Sequence, residues 1–292
     1  MQMKERGADM IKLLVDSTCD FPERFLREHI IDWLPLRVRL EDKEYADKEE
    51  IEVQEVYDAM KQGVMPQTSQ PLPGDIIKKL EAYGENKDDV IYISFSGKMS
   101  GTYQTVHILM EEMSMRYPEC RFTAVDSKSG SICIGFMAME AIRLRDEGAT
   151  YDEILARIRF LADHAEHIFT LTDLNWLVKG GRISKAEGIL GNMLNIKPLI
   201  HVNDGFIEVY EKVRGQKKLL TKLVDTVEER ISDYKQQTIG LVHAEETELL
   251  HTIREMLKER LGDVQFVETG IGSVLSAHLG LSGIGICFFN KY

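Results

Sequence analysis

Ile11–Val15 is a short apolar run that stops at the polar Asp16-Ser17-Thr18, which predicts a buried strand followed by a turn. Asp20 is expected to open a helix, with Pro22 in its first turn and Glu23 three positions on as a capping-box partner. From Trp33 to Leu40, Leu34, Leu36, Val38 and Leu40 alternate with mostly polar residues, predicting one strand with a single buried face. Ile51–Met60 is helical in pattern, and Asp75 to about Tyr83 reads as a second helix. Between them the Pro-, Ser- and Thr-rich stretch Met65–Asp75 reads as a loop. Val90–Ser94 and Phe122–Val125 are strand-like. Thr102 begins a helix carrying Val106, Leu109, Met110 and Met113 on one side, and Ile132–Leu144 is a strongly apolar helix stopped before Gly148.

The pattern changes in the second half. Pro198–Val202 and Phe206–Val213 flank Asn203-Asp204-Gly205, a hairpin signal. Helices are expected over Leu219–Tyr234 and Leu249–Leu261, and strands over Ile239–Val242, Val264–Val267 and Ile284–Phe289. The fold class expected is α/β in two domains. Residues 1–162 would form a parallel-sheet, Rossmann-like α/β domain and residues 163–292 an α/β domain with a mixed or antiparallel sheet.

The length of 292 residues suits two cores of that size. A net charge of −12 without a basic cluster argues against nucleic acid as a partner. No apolar run approaches the roughly 18 residues of a membrane span, and the start MQMKERGADM lacks a signal-peptide core. A cytoplasmic protein without stable membrane insertion is therefore expected. Cys19, Cys120, Cys133 and Cys287 form no CxxC pair and read as reduced structural thiols. His164 and His167 lack a carboxylate pattern such as HExxH, so no metal is expected.

Three loops at predicted strand ends carry small hydroxyl residues: Asp16-Ser17-Thr18, Thr68-Ser69-Gln70-Pro71, and Ser96 through Thr102. Each reads as a helix cap. Each also offers hydroxyls and free backbone N–H groups where open α/β sheets bind ligands, an arrangement suited to a carboxyl group. A Walker A loop is excluded, because Met99 follows Gly97-Lys98 and Tyr92 stands at the first glycine position. A GxSxG nucleophile elbow is excluded by Lys98, two residues before Ser100. No GxGxxG fingerprint marks the first strand–helix turn.

Asn175–Ser184 contains paired glycines followed by Arg182, near the start of a further apolar helix. Arg182 is either an exposed turn residue or a bidentate site for a phosphate or partner carboxylate, with Lys197 and Arg214 as further positive charges. His278 lies in a small-residue stretch before the last strand and reads either as a structural histidine or as a group close to a carboxylate.

Taken in order, LLVDSTCD, LPLRVRLEDKEYAD, PQTSQPLPGD, SGKMSGTYQT, AVDSKSGSICIG, DLNWLVKGGRIS, LNIKPLI with NDGFIEVYEKVR, and AHLGLSGIGI resemble the DegV family over nearly the whole chain. The resemblance implies a carrier, not a catalyst, which buries a long-chain fatty acid between two domains and presents it to a separate fatty-acid kinase, without a cofactor. It places the carboxyl on Thr68 and Ser100, with His278 as a third contact and Ser69, Ser96, Gly101 and Thr102 in support. Arg182, Lys197 and Arg214 are the candidates for partner or phosphate contact. This chain departs from many members at Gly97, where a hydroxyl is lost, and at Leu281-Ser282 after Gly280. Burial of an acyl chain is worth about 0.8 kcal/mol per CH2, and thirteen methionines suit an adaptable pocket. Two other readings remain open: a serine-dependent esterase or acyltransferase using Ser100, and a regulatory protein that senses a small anion and docks through Arg182.

Overall fold

A computed structural model describes residues 11–186, 188 and 195–292. The first half runs β1 (Ile11–Asp16), α1 (Glu23–Glu28), β2 (Ile31–Leu34), β3 (Arg37–Leu40), β4 (Lys43–Ala46), α2 (Val53–Lys61) and β5 (Gln67–Ser69). It continues with α3 (Pro73–Asn86), β6 (Asp89–Ser94), α4 (Thr102–Arg116), β7 (Phe122–Asp126), α5 (Ile132–Asp146) and α6 (Tyr151–Ala162). The second half comprises β8 (Ala165–Thr170), α7 (Asn175–Lys179), β9 (Ile196–Asn203), β10 (Phe206–Arg214), α8 (Gln216–Arg230), β11 (Thr238–His243), α9 (Thr247–Leu261), β12 (Gln265–Gly270), α10 (Ser273–Leu279) and β13 (Ile284–Phe289).

β1 and β6 are apolar on both faces because both faces are covered. They sit inside a wholly parallel sheet of order β2-β1-β6-β7. Leu14 and Tyr92 point to α3 and α4, joining Leu80, Val106 and Met110. Leu13, Val15, Ile91 and Ile93 point the other way, to α5 and α6. The second sheet has order β10-β9-β8-β13-β11-β12; its pairs are antiparallel except β11 with β12, so it is mixed. One of its faces is covered by α8 and α9.

Its other face meets α5. Ile132, Ile134, Met137, Ala138 and Ala141 are fully buried in one core with residues of β1 and β6 on one side and Val242, Cys287 and Phe289 on the other. A helix that is hydrophobic all round is buried all round, and α5 is the layer the two sheets share. Gly240 permits this approach: a Cβ there would lie 2.5 Å from the Ile132 side chain. The hairpin turn between β9 and β10 has Asp204 and Gly205 at φ 43° and 84°, the positive pair that a type I′ turn requires.

The structure corrects three expectations. Trp33–Leu40 is two strands, not one. Pro35 interrupts the run, the Leu36 amide donates to Ser17 Oγ (3.1 Å), and β3 leaves the parallel sheet. β3 joins a small antiparallel sheet of order β4-β3-β5. The stretch expected to be all loop therefore contains β5, with Thr68 opposite Val38. Asp20 does not cap α1, whose N-cap is Pro22 without a side-chain bond. Its carboxylate instead accepts from Ser131 Oγ (2.5 Å) and the Gly272 amide (2.9 Å), joining the two halves of the chain. α6 and α10 were not foreseen from the pattern; α6 is opened by a capping box between Thr150 and Glu153. The apolar helix expected after Arg182 falls mainly on residues outside the described set.

Candidate functional site

A cavity of about 490 Å³ lies between the first-half loops and the mixed sheet. Small-molecule pockets run roughly 300–1,000 Å³. Most of its wall is apolar, including Phe95, Phe169, Val242, Leu275 and Ile286. Polar side chains gather at one end: Thr68, Ser69, Gln70, Ser100, Arg182 and His278.

Each is set by local structure. Thr68 lies on β5, and its hydroxyl is 2.8 Å from Nε2 of His278 on α10. After β6 the chain makes a turn in which the Met99 and Ser100 amides both donate to the Ser96 carbonyl (3.1 and 3.0 Å). Ser100 Oγ then accepts from the Thr102 amide (3.2 Å) and lies 2.9 Å from the Thr102 hydroxyl, which ties it to the first residue of α4 while it lines the cavity. Gly101 presses on the 68–70 loop, since a Cβ there would fall 2.6 Å from Gln70 Nε2. Both α7 and α10 end close by, with Gly180 flat against the His278 ring: a Cβ on Gly180 would lie 2.2 Å from Nδ1. Gly181, at φ 73°, turns the chain back so that Arg182 enters the cavity wall.

The Arg182 guanidinium donates to the Met99 carbonyl (3.2 Å) and the Gly180 carbonyl (2.5 Å). Among the described residues no carboxylate pairs with it, and burial lowers its pKa. Burial, with the neighbouring Arg182 charge, also brings His278 down to about 4, so its imidazole is neutral near pH 7. Its Nδ1 is buried and has no hydrogen-bond partner among the described residues. The polar end is thus a partly buried positive charge flanked by neutral hydroxyl and imidazole groups. Such a charge favours an anion beside it.

The remaining predicted residues are distributed unevenly. Ser69 and Gly101 line the cavity at its exposed edge. Ser96 does not line it; its hydroxyl donates to the Gly205 carbonyl (2.8 Å) and holds the β9–β10 turn. Thr102 is fully buried behind Ser100. Lys197 pairs with Val213, and Arg214 with Ile196, at the far end of the β9–β10 hairpin; neither lines the cavity with Arg182. In the first loop, Asp16 is a structural anchor that accepts from Tyr92 OH (3.0 Å) and the Phe95 amide (2.7 Å). Ser100 Oγ meets Thr102, and the imidazole that a hydrolase would need bonds Thr68 instead.

Sequence reasoning missed the opposite wall. Cys133, His167 and Cys287 place one sulfur, one ring nitrogen and one sulfur within 4.8 Å of one another, all buried. Burial raises the Cys133 thiol, but the Cys287 hydrogen bond and His167 outweigh it, and its net direction is down. No spacing signal could have joined them, because the pairing of β8 with β13 brings together residues 120 apart.

Two unlike sheets sharing a helical layer, with a partly open cavity between the first-half loops and the mixed sheet, define an α/β protein with a small-molecule-sized pocket. The chain belongs to the DegV family: the family model described as uncharacterised protein, DegV family, matches residues 10–291. A DegV domain-containing protein of Clostridium acetobutylicum is 33% identical over 285 residues, covering 97% of this chain and 100% of its own. One from Caldanaerobacter subterraneus subsp. tengcongensis is 30% identical over 283 residues, with 97% and 100% covered. A Thermus thermophilus structure described as fatty acid binding of a DegV family protein matches at TM-score 0.85 and 28% identity, over 96% of this chain and 99% of that one. DegV of Bacillus subtilis, described as a fatty acid binding protein, matches at TM-score 0.83 and 28% identity, over 95% and 98%. Among the described residues no helix is long and apolar enough to cross a membrane.

Proposed function

We propose that this chain binds a long-chain fatty acid, with the carboxylate against Arg182, Thr68, Ser100 and His278 and the acyl chain along the apolar wall. The observation that carries the reading is Arg182, a partly buried guanidinium at the polar end of an apolar cavity with no carboxylate partner among the described residues. Burial of the chain at about 0.8 kcal/mol per CH2 supplies the affinity, and the polar end fixes which way round the ligand lies. Relatives at 27–28% identity described as fatty-acid-binding support the same reading. Lipid extraction and mass spectrometry of the purified protein test it: a long-chain acid in about one-to-one ratio is expected. Lipid-free protein that takes up no added acid refutes it.

We further propose that the protein is a carrier in the cytoplasm and that a separate kinase phosphorylates the bound carboxyl. The exposed Ser69, Gln70 and Gly101 at the polar end favour access by such a partner. On this reading the chain divides into domains 1–162 and 163–292, and the cavity lies where they meet. An ATP-dependent acyl phosphate formed by a fatty-acid kinase only when the loaded protein is added is the expected result; equal rates without it argue against the carrier role. Catalysis by Ser100 is not favoured, because among the described residues its hydroxyl bonds Thr102 and no general base.

A further inference from the structure

The inner wall of the cavity carries a set of donors that lipid binding does not use. His167 on β8 and Cys287 on β13 are register partners, so their side chains leave the sheet on one face. That face is covered by α5, whose first turn supplies Cys133. Cys287 Sγ lies 3.2 Å from His167 Nδ1. The other ring nitrogen, Nε2, lies 2.6 Å from Ser129 Oγ. With the Nε2 proton donated to that hydroxyl, the Nδ1 lone pair faces the two sulfurs, the orientation that a metal-bound imidazole takes from its outer partner.

We propose that Cys133, His167 and Cys287 form a binding site for one Zn2+ ion. Thiolate and imidazole donors favour thiophilic cations over Mg2+ or Ca2+. Two thiolates balance a divalent ion, so the buried assembly is neutral, whereas Cu+ would leave a net negative charge in an apolar wall. Bonds of about 2.0–2.3 Å bring tetrahedral donors to within roughly 3.3–3.8 Å of each other. A set already within 4.8 Å reaches that spacing by side-chain adjustment. His167 and Cys287 line the cavity and Cys133 does not, so the fourth position faces the cavity. Three protein ligands with one open position is the pattern of an accessible zinc site. The other two cysteines belong elsewhere: Cys120 is in the core beneath α3 and α4, and Cys19 follows β1.

The test is titration of the full, thiol-reduced, lipid-extracted chain with Co2+ followed by Zn2+. One Co2+ per chain is expected, with thiolate-to-cobalt charge-transfer absorption and tetrahedral ligand-field bands that Zn2+ abolishes. Cys133→Ser and Cys287→Ser each weaken binding at least about 100-fold, and Ser129→Ala weakens it about 10–100-fold. Cys120→Ser leaves it unchanged. No binding, cobalt bound without charge transfer, or affinity unchanged in either Cys133→Ser or Cys287→Ser overturns the proposal. Circular dichroism reports whether each variant folds; where a cysteine variant does not, the wild-type stoichiometry and spectrum decide.

Discussion

Two histidines line the same cavity in opposite surroundings. His278 stands at the polar end, beside the Arg182 charge, with Thr68 on one nitrogen and, among the described residues, no partner on the other. His167 stands in the inner wall with both nitrogens engaged, by Ser129 and Cys287. The first faces a charge of its own sign and stays neutral; the second faces two thiols. The cavity therefore has two chemically distinct ends: one takes an oxyanion through oxygen and nitrogen donors, and the other offers sulfur.

The largest effect expected at the first end concerns pH. Burial holds His278 at about 4 in the folded chain, below its ordinary 6.5. Between those values the unfolded chain binds more protons, so stability falls as pH falls from 6.5 towards 4, by up to about 3 kcal/mol. Asp20 acts oppositely: burial raises it to about 6, so it adds stability as pH falls from 6 towards 3.8. Denaturant unfolding of wild type and His278→Asn across this range isolates the histidine. The difference between the two should shift against wild type as pH falls from 6.5 towards 4 and be constant above 6.5; a difference that is pH-independent throughout contradicts the assignment.

Arg182→Ala comes next. Loss of a charge-assisted bond to a carboxylate, about 2–3 kcal/mol, weakens fatty-acid affinity roughly 30–150-fold in a displacement titration. An unchanged affinity would remove the guanidinium from the head-group site. Gly180→Ala pushes a methyl group into the His278 ring, at an overpacking cost of about 1–3 kcal/mol in thermal or denaturant unfolding. A variant as stable as wild type would show that the ring has room to move. The smallest effect is for Thr68→Val, about 1 kcal/mol in fatty-acid affinity. The same substitution should leave cobalt binding at the opposite wall untouched, and a parallel loss there would show that the two ends are not independent.

The sequence disclosed what depends on local periodicity. α5 was legible because Ile132–Leu144 is apolar on every side, and the β9–β10 hairpin because Asp204-Gly205 tolerates positive φ. β5 was not legible: three residues, Gln67–Ser69, become a strand only by pairing with β3. Pro35 was the one signal that the Trp33–Leu40 run must break. Thr68, Ser100 and His278 were singled out from loop chemistry and family resemblance, and all three line the cavity. The placing of Arg182 in the cavity wall, with no carboxylate partner among the described residues, was invisible, because it is a property of tertiary packing. Cys133, His167 and Cys287 met only through the joining of α5, β8 and β13.

The central claim is that the cavity orients an acyl chain by its carboxyl end. A crystal structure of the protein with a bound long-chain fatty acid tests it most directly. Carboxylate oxygens are expected at hydrogen-bonding distance, roughly 2.7–3.2 Å, from Arg182 and from the Thr68 or Ser100 hydroxyl, with the chain running along the apolar wall. A carboxylate at the Cys133–His167–Cys287 wall, or a cavity that remains without lipid at saturating fatty acid, would contradict it.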